Sequence, residues 1–187
     1  SGDHIVEQAV HSLDKMQWAM KDEPPVKCVA HGGRQVRTGA DFGHIYDHFS
    51  VVYEYASGAR GYHYSRQQPN TASDNSDYFI GTKGVATIKA FGPLFITGEN
   101  PWRLQKRDEK ANMYQVEHDE MYASIRRGQP INDGVWMAHS TLVAIMGRMA
   151  AYTGQEITWE QALNSQENLA KWVTKQEGVA GDPRFDW

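Results

Sequence analysis

Glu7, His11, Asp14 and Trp18 punctuate the run EQAVHSLDKMQW near the start of the chain. A carboxylate four residues from an imidazole on a helix can share a hydrogen bond with it, fixing the ring tautomer and raising its basicity, which is what a general base requires. The competing reading is a solvated polar face that happens to include a histidine. A third use is a divalent cation held by these residues with His44 or His48, but neither H-E-x-x-H nor H-x-H occurs, and no metal site is assigned.

A second cluster lies in HGGRQVRTGADFGHIYDH, residues 31 to 48. Its glycines permit unusual backbone angles, and Arg34, Arg37, Tyr46, Asp47 and His48 supply donors and acceptors suited to a polyhydroxylated or anionic ligand. An ordinary surface loop would have much the same composition. The segment contains no G-x-x-x-x-G-K-[ST] and no G-x-G-x-x-G, so it is not a phosphate cradle. G-x-S-x-G is also missing and Cys28 has no activating neighbours, which disfavours a nucleophilic hydrolase.

These side chains need elements to position them. Periodicity near 100° per residue predicts a helix over Asp3 to Met20. Ile5, Val6, Ala9, Leu13, Met16 and Met20 fall on one side of it, opposite Glu7, His11, Asp14 and Trp18. Asp3 reads as its N-cap, and the prolines of KDEPP end it. A strand over Val26 to Ala30 follows, then the glycine-bearing loop, then two alternating runs around Ser57 and Gly58 that predict a hairpin. A second hairpin turns at Thr82, Lys83 and Gly84, and PLFITGEN adds another strand. Tyr53 and Tyr55 share one face of their strand, as do Tyr62 and Tyr64 of theirs. These tyrosines either form an aromatic sheet surface or pack under helices.

The last third changes period. A helix over 112 to 128 carries Tyr114, Met121 and Ile125 among its apolar positions and stops at Gly128. Asp133 reads as the N-cap of a strongly apolar helix running to Gly154, and Thr158 with Gln161 forms a capping box for a short helix. The tail after Gly178 has no pattern. The expected fold class is α+β: an open, mainly antiparallel sheet with helices packed on one face, in a single domain spanning 1–187.

Composition narrows the classes further. The 187 residues suffice for one ordinary core, and a net charge of −4 without a basic stripe argues against nucleic acid. The single cysteine excludes an internal disulfide. No apolar run approaches the roughly 20 residues that span a bilayer, so a soluble chain with no membrane partner is expected. The abrupt helical start predicts an excised part of something longer, on whose missing N-terminus any export signal would lie.

The runs EQAVHSLDKMQWAM, HGGRQVRTG, YDHFSVVYEY, GTKGVATI and INDGVWMAHSTLVAIMGRMAAYTGQEITWEQAL together resemble the C-terminal substrate domain of the Gfo/Idh/MocA family, the glucose-fructose oxidoreductase and inositol dehydrogenase group. The resemblance covers nearly everything up to about residue 165. It implies an open-sheet fold like the C-terminal domain of glyceraldehyde-3-phosphate dehydrogenase, and a missing upstream Rossmann domain holding NAD or NADP and a catalytic lysine. No cofactor is expected on this chain itself.

By the same resemblance His11 takes the place of the family's acid/base histidine, with Glu7 where the family has aspartate, so the two form the catalytic pair. Arg34, Tyr46, Asp47 and His48 would line a sugar or polyol site, and the open sheet face would make a homo-oligomer. The parent is then a sugar or cyclitol dehydrogenase and the isolated chain inactive. The alternative is a ligand-binding or oligomerisation module without chemistry of its own.

Overall fold

The computed structural model describes residues 2–90, 92–105 and 112–169, which group into two compact units. The expected tail after Gly178 lies outside the described residues. Unit 1 comprises Ser1–Thr71 and Trp136–Trp187, and unit 2 comprises Ala72–Val135.

Unit 1 is built on an antiparallel sheet of β1 (Lys27–Gly33), β2 (His48–Glu54), β3 (Arg60–Arg66) and β8 (Ile157–Thr158), in the order β3-β2-β1-β8. The predicted hairpin is present: Val51 faces His63 across β2 and β3, and Gly58 supplies the positive φ of 84° that the turn demands. Alternation decides which side each residue takes. Phe49, Val51 and Tyr53 are buried with Cys28 and Ala30, while Ser50, Val52, Val29, Tyr62 and Tyr64 point to the other face.

The buried face is covered by α1 (Asp3–Glu7), α2 (Val10–Ala19) and α4 (Gly134–Thr153), so helices do pack on one side of an antiparallel sheet. Ile5, Ala9 and Leu13 meet Val143, Ala144, Met146 and Ala150 there. Two buried hydroxyls in this core are matched: the Tyr53 hydroxyl donates to Val143 O at 3.0 Å and the Tyr55 hydroxyl to Gln17 Oε1 at 2.8 Å. The tyrosine question thus divides. Tyr53 and Tyr55 lie under the helices, whereas Tyr62 and Tyr64 are 59% and 71% exposed on the open face.

Cys28 is a buried bystander, its thiol pushed up to about 12 by burial. The Thr158–Gln161 capping box opens α5 (Trp159–Leu163) as expected.

Unit 2 holds a second antiparallel sheet, β4 (Ser76–Gly81), β5 (Gly84–Lys89), β6 (Leu94–Gly98) and β7 (Trp102–Arg103), with the predicted turn between β4 and β5. It also holds α3 (Met113–Arg126), capped by Asn112, whose side chain accepts from Tyr114 N at 2.9 Å. Tyr114, Met121 and Ile125 are exposed, and Ser124 is the buried residue of α3.

Two local expectations are corrected. The helix over Asp3 to Met20 is two helices, because Ala9 N as well as Gln8 N bonds to His4 O, a widened turn that offsets α2 from α1. Asp3 is not a cap: it is buried at φ 61°, and its carboxylate bonds to the core instead. Before α4 (Gly134–Thr153), Asp133 stands at the N-cap position as expected, and Asn132 accepts from Gly134 N at 3.1 Å.

Candidate functional site

The polar strip opposite Ile5, Ala9 and Leu13 splits into two pairs. Asp14 accepts from Ser140 Oγ at 2.5 Å, tying α2 to α4, and Trp18 packs on Trp136 with ring centroids 5.5 Å apart. Those two are joined to the core. Glu7 and His11 are both exposed, and the widened turn between them removes the regular four-residue spacing; no hydrogen bond joins them. Their side chains are therefore available to something outside this chain.

His4 stands beside them, half-buried, with Nδ1 buried and unpartnered. Burial and then the Arg37 guanidinium hold its ring below the ordinary histidine range, against the opposing influence of Glu7. His4, Glu7 and Arg37 thus share one electrostatic neighbourhood. The turn below is fixed by Asp3, which accepts from the Tyr152 hydroxyl at 2.5 Å and lies 3.7 Å from Arg148 Nε. The Arg148 guanidinium in turn sits 4.3 Å over the Tyr152 ring. Burial, followed by the bond to Asp3, raises the Tyr152 phenol, which stays protonated and donating. Sequence reading did not find this buried trio. The available signal was Arg148, a lone charge inside an apolar helical run.

The 31 to 48 loop is organised from within by Asp47. Its buried Oδ2 accepts the backbone N–H groups of Gln35 at 2.8 Å, Val36 at 2.8 Å and Arg37 at 2.9 Å, and Oδ1 meets His48 Nδ1 at 2.8 Å. Burial alone would raise this carboxyl, but the backbone donors and the His48 ring outweigh it and hold it well below the usual carboxylate range. Arg34 turns inward as well, donating from Nε and Nη2 to Arg37 O at 2.8 and 2.6 Å. Tyr46 stacks on Tyr152 at 3.9 Å on the helix side of the sheet. His48 instead begins β2 in register with Gly33 and Arg66, on the open side with Ser50 and Val52.

The four residues expected to line a ligand site are thus not gathered on one surface. Asp47 and Arg34 shape the loop, Tyr46 joins it to α4, and His48 faces the other way. Among the described residues no three side chains converge as metal ligands. Nor does any glycine-rich strand-to-helix turn stand ready for a dinucleotide: α3 and α5 open on Asn112 and Thr158 caps. Unit 2 carries a shallow depression of about 400 Å³ lined by Phe95, Ile96, Thr97, Pro101, Trp102 and Arg103, with no acid–base pair in it.

Helices covering one face of an antiparallel sheet make this an α+β arrangement. Residues 1–87 match the model of the GFO/IDH/MocA C-terminal domain. No curated protein matches the chain.

Among solved structures, the fold is similar to aldose-aldose oxidoreductase from Caulobacter crescentus, crystallised with glycerol (20% identity, 80% of this chain and 45% of that one, TM-score 0.65). It is also similar to a putative NADPH-dependent oxidoreductase from Desulfitobacterium hafniense (14% identity, 84% and 48% covered, TM-score 0.66). A third likeness is UDP-N-acetylglucosamine 3-dehydrogenase from Acidithiobacillus ferrooxidans (16% identity, 77% and 45% covered, TM-score 0.64). The chain spans just under half the length of each.

Proposed function

We propose that this chain is the substrate-binding part of an NAD(P)-dependent sugar or cyclitol dehydrogenase whose dinucleotide-binding domain lies elsewhere in a longer protein. The observation that carries the reading is the exposed Glu7 and His11 on α1 and α2, within the segment that matches the family. A neutral imidazole at His11 accepts the proton of a substrate hydroxyl while the carbon bearing that hydroxyl gives up a hydride. The reverse reaction returns the proton from the imidazolium. NAD or NADP, bound by the longer protein, is the hydride partner.

Glu7 has two ways to contribute. It can orient His11, or it can reach the substrate itself. Both require the partner domain, so the isolated chain turns nothing over. Association through the open face of sheet β3-β2-β1-β8, where Tyr62 and Tyr64 stand exposed, belongs to the same reading.

The test assays the longer protein with a panel of sugars and polyols, beside its His11→Ala variant. Loss of the acid/base group lowers kcat by about 10²- to 10⁴-fold. Turnover undiminished in the variant would remove His11 from the chemistry and leave the chain as a binding or oligomerisation module.

A further inference from the structure

Glu7 and His11 stand on separate helices, α1 and α2, and no hydrogen bond runs from one side chain to the other across the widened turn. A turn of that kind is free to hinge unless each half is fastened. Both halves are fastened here, and to the same element, the continuous 20-residue α4.

On the α2 side the hydroxyl of Ser140, only 4% exposed, donates to Asp14 Oδ1 at 2.5 Å. Asp14 lies one turn beyond His11, and a turn further Trp18 packs on Trp136. On the α1 side the Tyr152 hydroxyl donates to Asp3 Oδ2 at 2.5 Å, with Arg148 Nε at 3.7 Å and Tyr46 N at 3.5 Å from the same oxygen. Asp3 lies one turn before Glu7. Its left-handed φ of 61° is a conformation that a side-chain-bearing residue keeps where its surroundings over-determine it.

Each anchor is thus a hydroxyl of α4 bonded to a carboxylate that neighbours one member of the pair on its helix surface. Hydrogen bonds to a carboxylate are stronger than those between neutral groups, and these lie in or against the core. Ser140 and Tyr152 are separated by about 18 Å of unbroken helix. The spacing between the anchors is therefore set by α4 and not by the turn.

We infer that Ser140 and Tyr152 are positioning residues for the proposed reaction: through Asp14 and Asp3 they fix where His11 and Glu7 stand relative to each other. The inference rests on the dehydrogenase reading of that pair. Apolar side chains of similar volume would pack α4 as well; what the polar anchors add is a fixed register.

The experiment compares Ser140→Ala and Tyr152→Phe in the longer protein, by steady-state kinetics on the panel of sugars and polyols. Each variant removes one hydroxyl and nothing else, and the Tyr46 stack on the residue-152 ring is kept, so the fold persists. Displacing the pair without removing it lowers kcat about tenfold and leaves KM within about twofold. The decisive readout is the second background. In His11→Ala the Ser140→Ala change costs no further kcat, and in Glu7→Ala the Tyr152→Phe change costs none, because each anchor acts only through the side chain it places.

The same loss at either anchor whether or not its target side chain is present would be a general loosening, and it overturns the inference. So does native kcat in both single variants beside an impaired His11→Ala. Undiminished turnover in His11→Ala, or no turnover on any member of the panel, is a separate result. It removes the dehydrogenase reading, and the inference falls with it whatever the anchors do.

Discussion

Asp47 shows how one buried charge can shape a loop without touching a ligand. Its carboxylate takes three consecutive backbone N–H groups and one imidazole N–H, donors that the loop could not otherwise satisfy. The sequence offered Asp47 as a polar group suited to a ligand, and nothing local distinguishes an aspartate facing solvent from one folded back on its own loop. The outcome depends on where residues 35 to 37 are placed by the two strands that flank them.

Replacing Asp47 by alanine strips those part-buried N–H groups of their acceptor and costs about 3 kcal/mol in urea unfolding. The pH dependence has a definite sign. The folded carboxyl is held low while the unfolded one titrates near 3.9, so its stabilisation is complete above about pH 5 and drains away as the pH falls through and below 4. Over that acid range the native chain loses stability more steeply than Asp47→Ala, a comparison that denaturation at successive pH values makes directly.

At the scale of elements, the first helix was legible in outline and its break was not. The apolar spacing of Ile5, Ala9 and Leu13 predicted the buried face correctly, because a helix shows the same stripe whether straight or offset by one widened turn. Asp3 is likewise held in the core and not at a cap, by Arg148 and Tyr152, residues more than a hundred positions away in the chain. The packing of α4 on β2 is equally specific. A Cβ at Gly147 would overlap the Tyr53 hydroxyl and crowd Ile5 Cδ1 at 3.1 Å. The tyrosine is fully buried and cannot swing away. Gly147→Ala therefore gains about 1 kcal/mol of helix propensity but loses more through overpacking and the broken bond to Val143 O, for a net destabilisation of about 1 to 3 kcal/mol by thermal unfolding. An unchanged or raised Tm would show that α4 can shift on the sheet.

For the molecule as a whole, the open face of sheet β3-β2-β1-β8 sets the expected assembly. Val29, Tyr62 and Tyr64 are 46%, 59% and 71% exposed on it, flanked by the ion pairs of Lys27 with Glu156 and Arg60 with Glu54. Under the proposed association, sedimentation velocity finds native oligomers that a Tyr62→Glu, Tyr64→Glu double variant dissociates, with stability changing by about 0.5 kcal/mol or less because the side chains lie outside the core. Oligomers that survive the double variant would place the interface elsewhere.

By itself the sequence determined the antiparallel hairpins, the apolar faces of α1, α2 and α4, the capping box at Thr158 and the family resemblance, since each rests on short-range periodicity or a local motif. Only the tertiary structure decided that, among the described residues, no hydrogen bond joins Glu7 to His11, that Asp47 and Arg34 serve the loop, and that Arg37 turns its Nε to Gln67 O. Those outcomes depend on hydrogen bonds and charges between segments far apart in the chain, and the spacing along any one segment does not encode them.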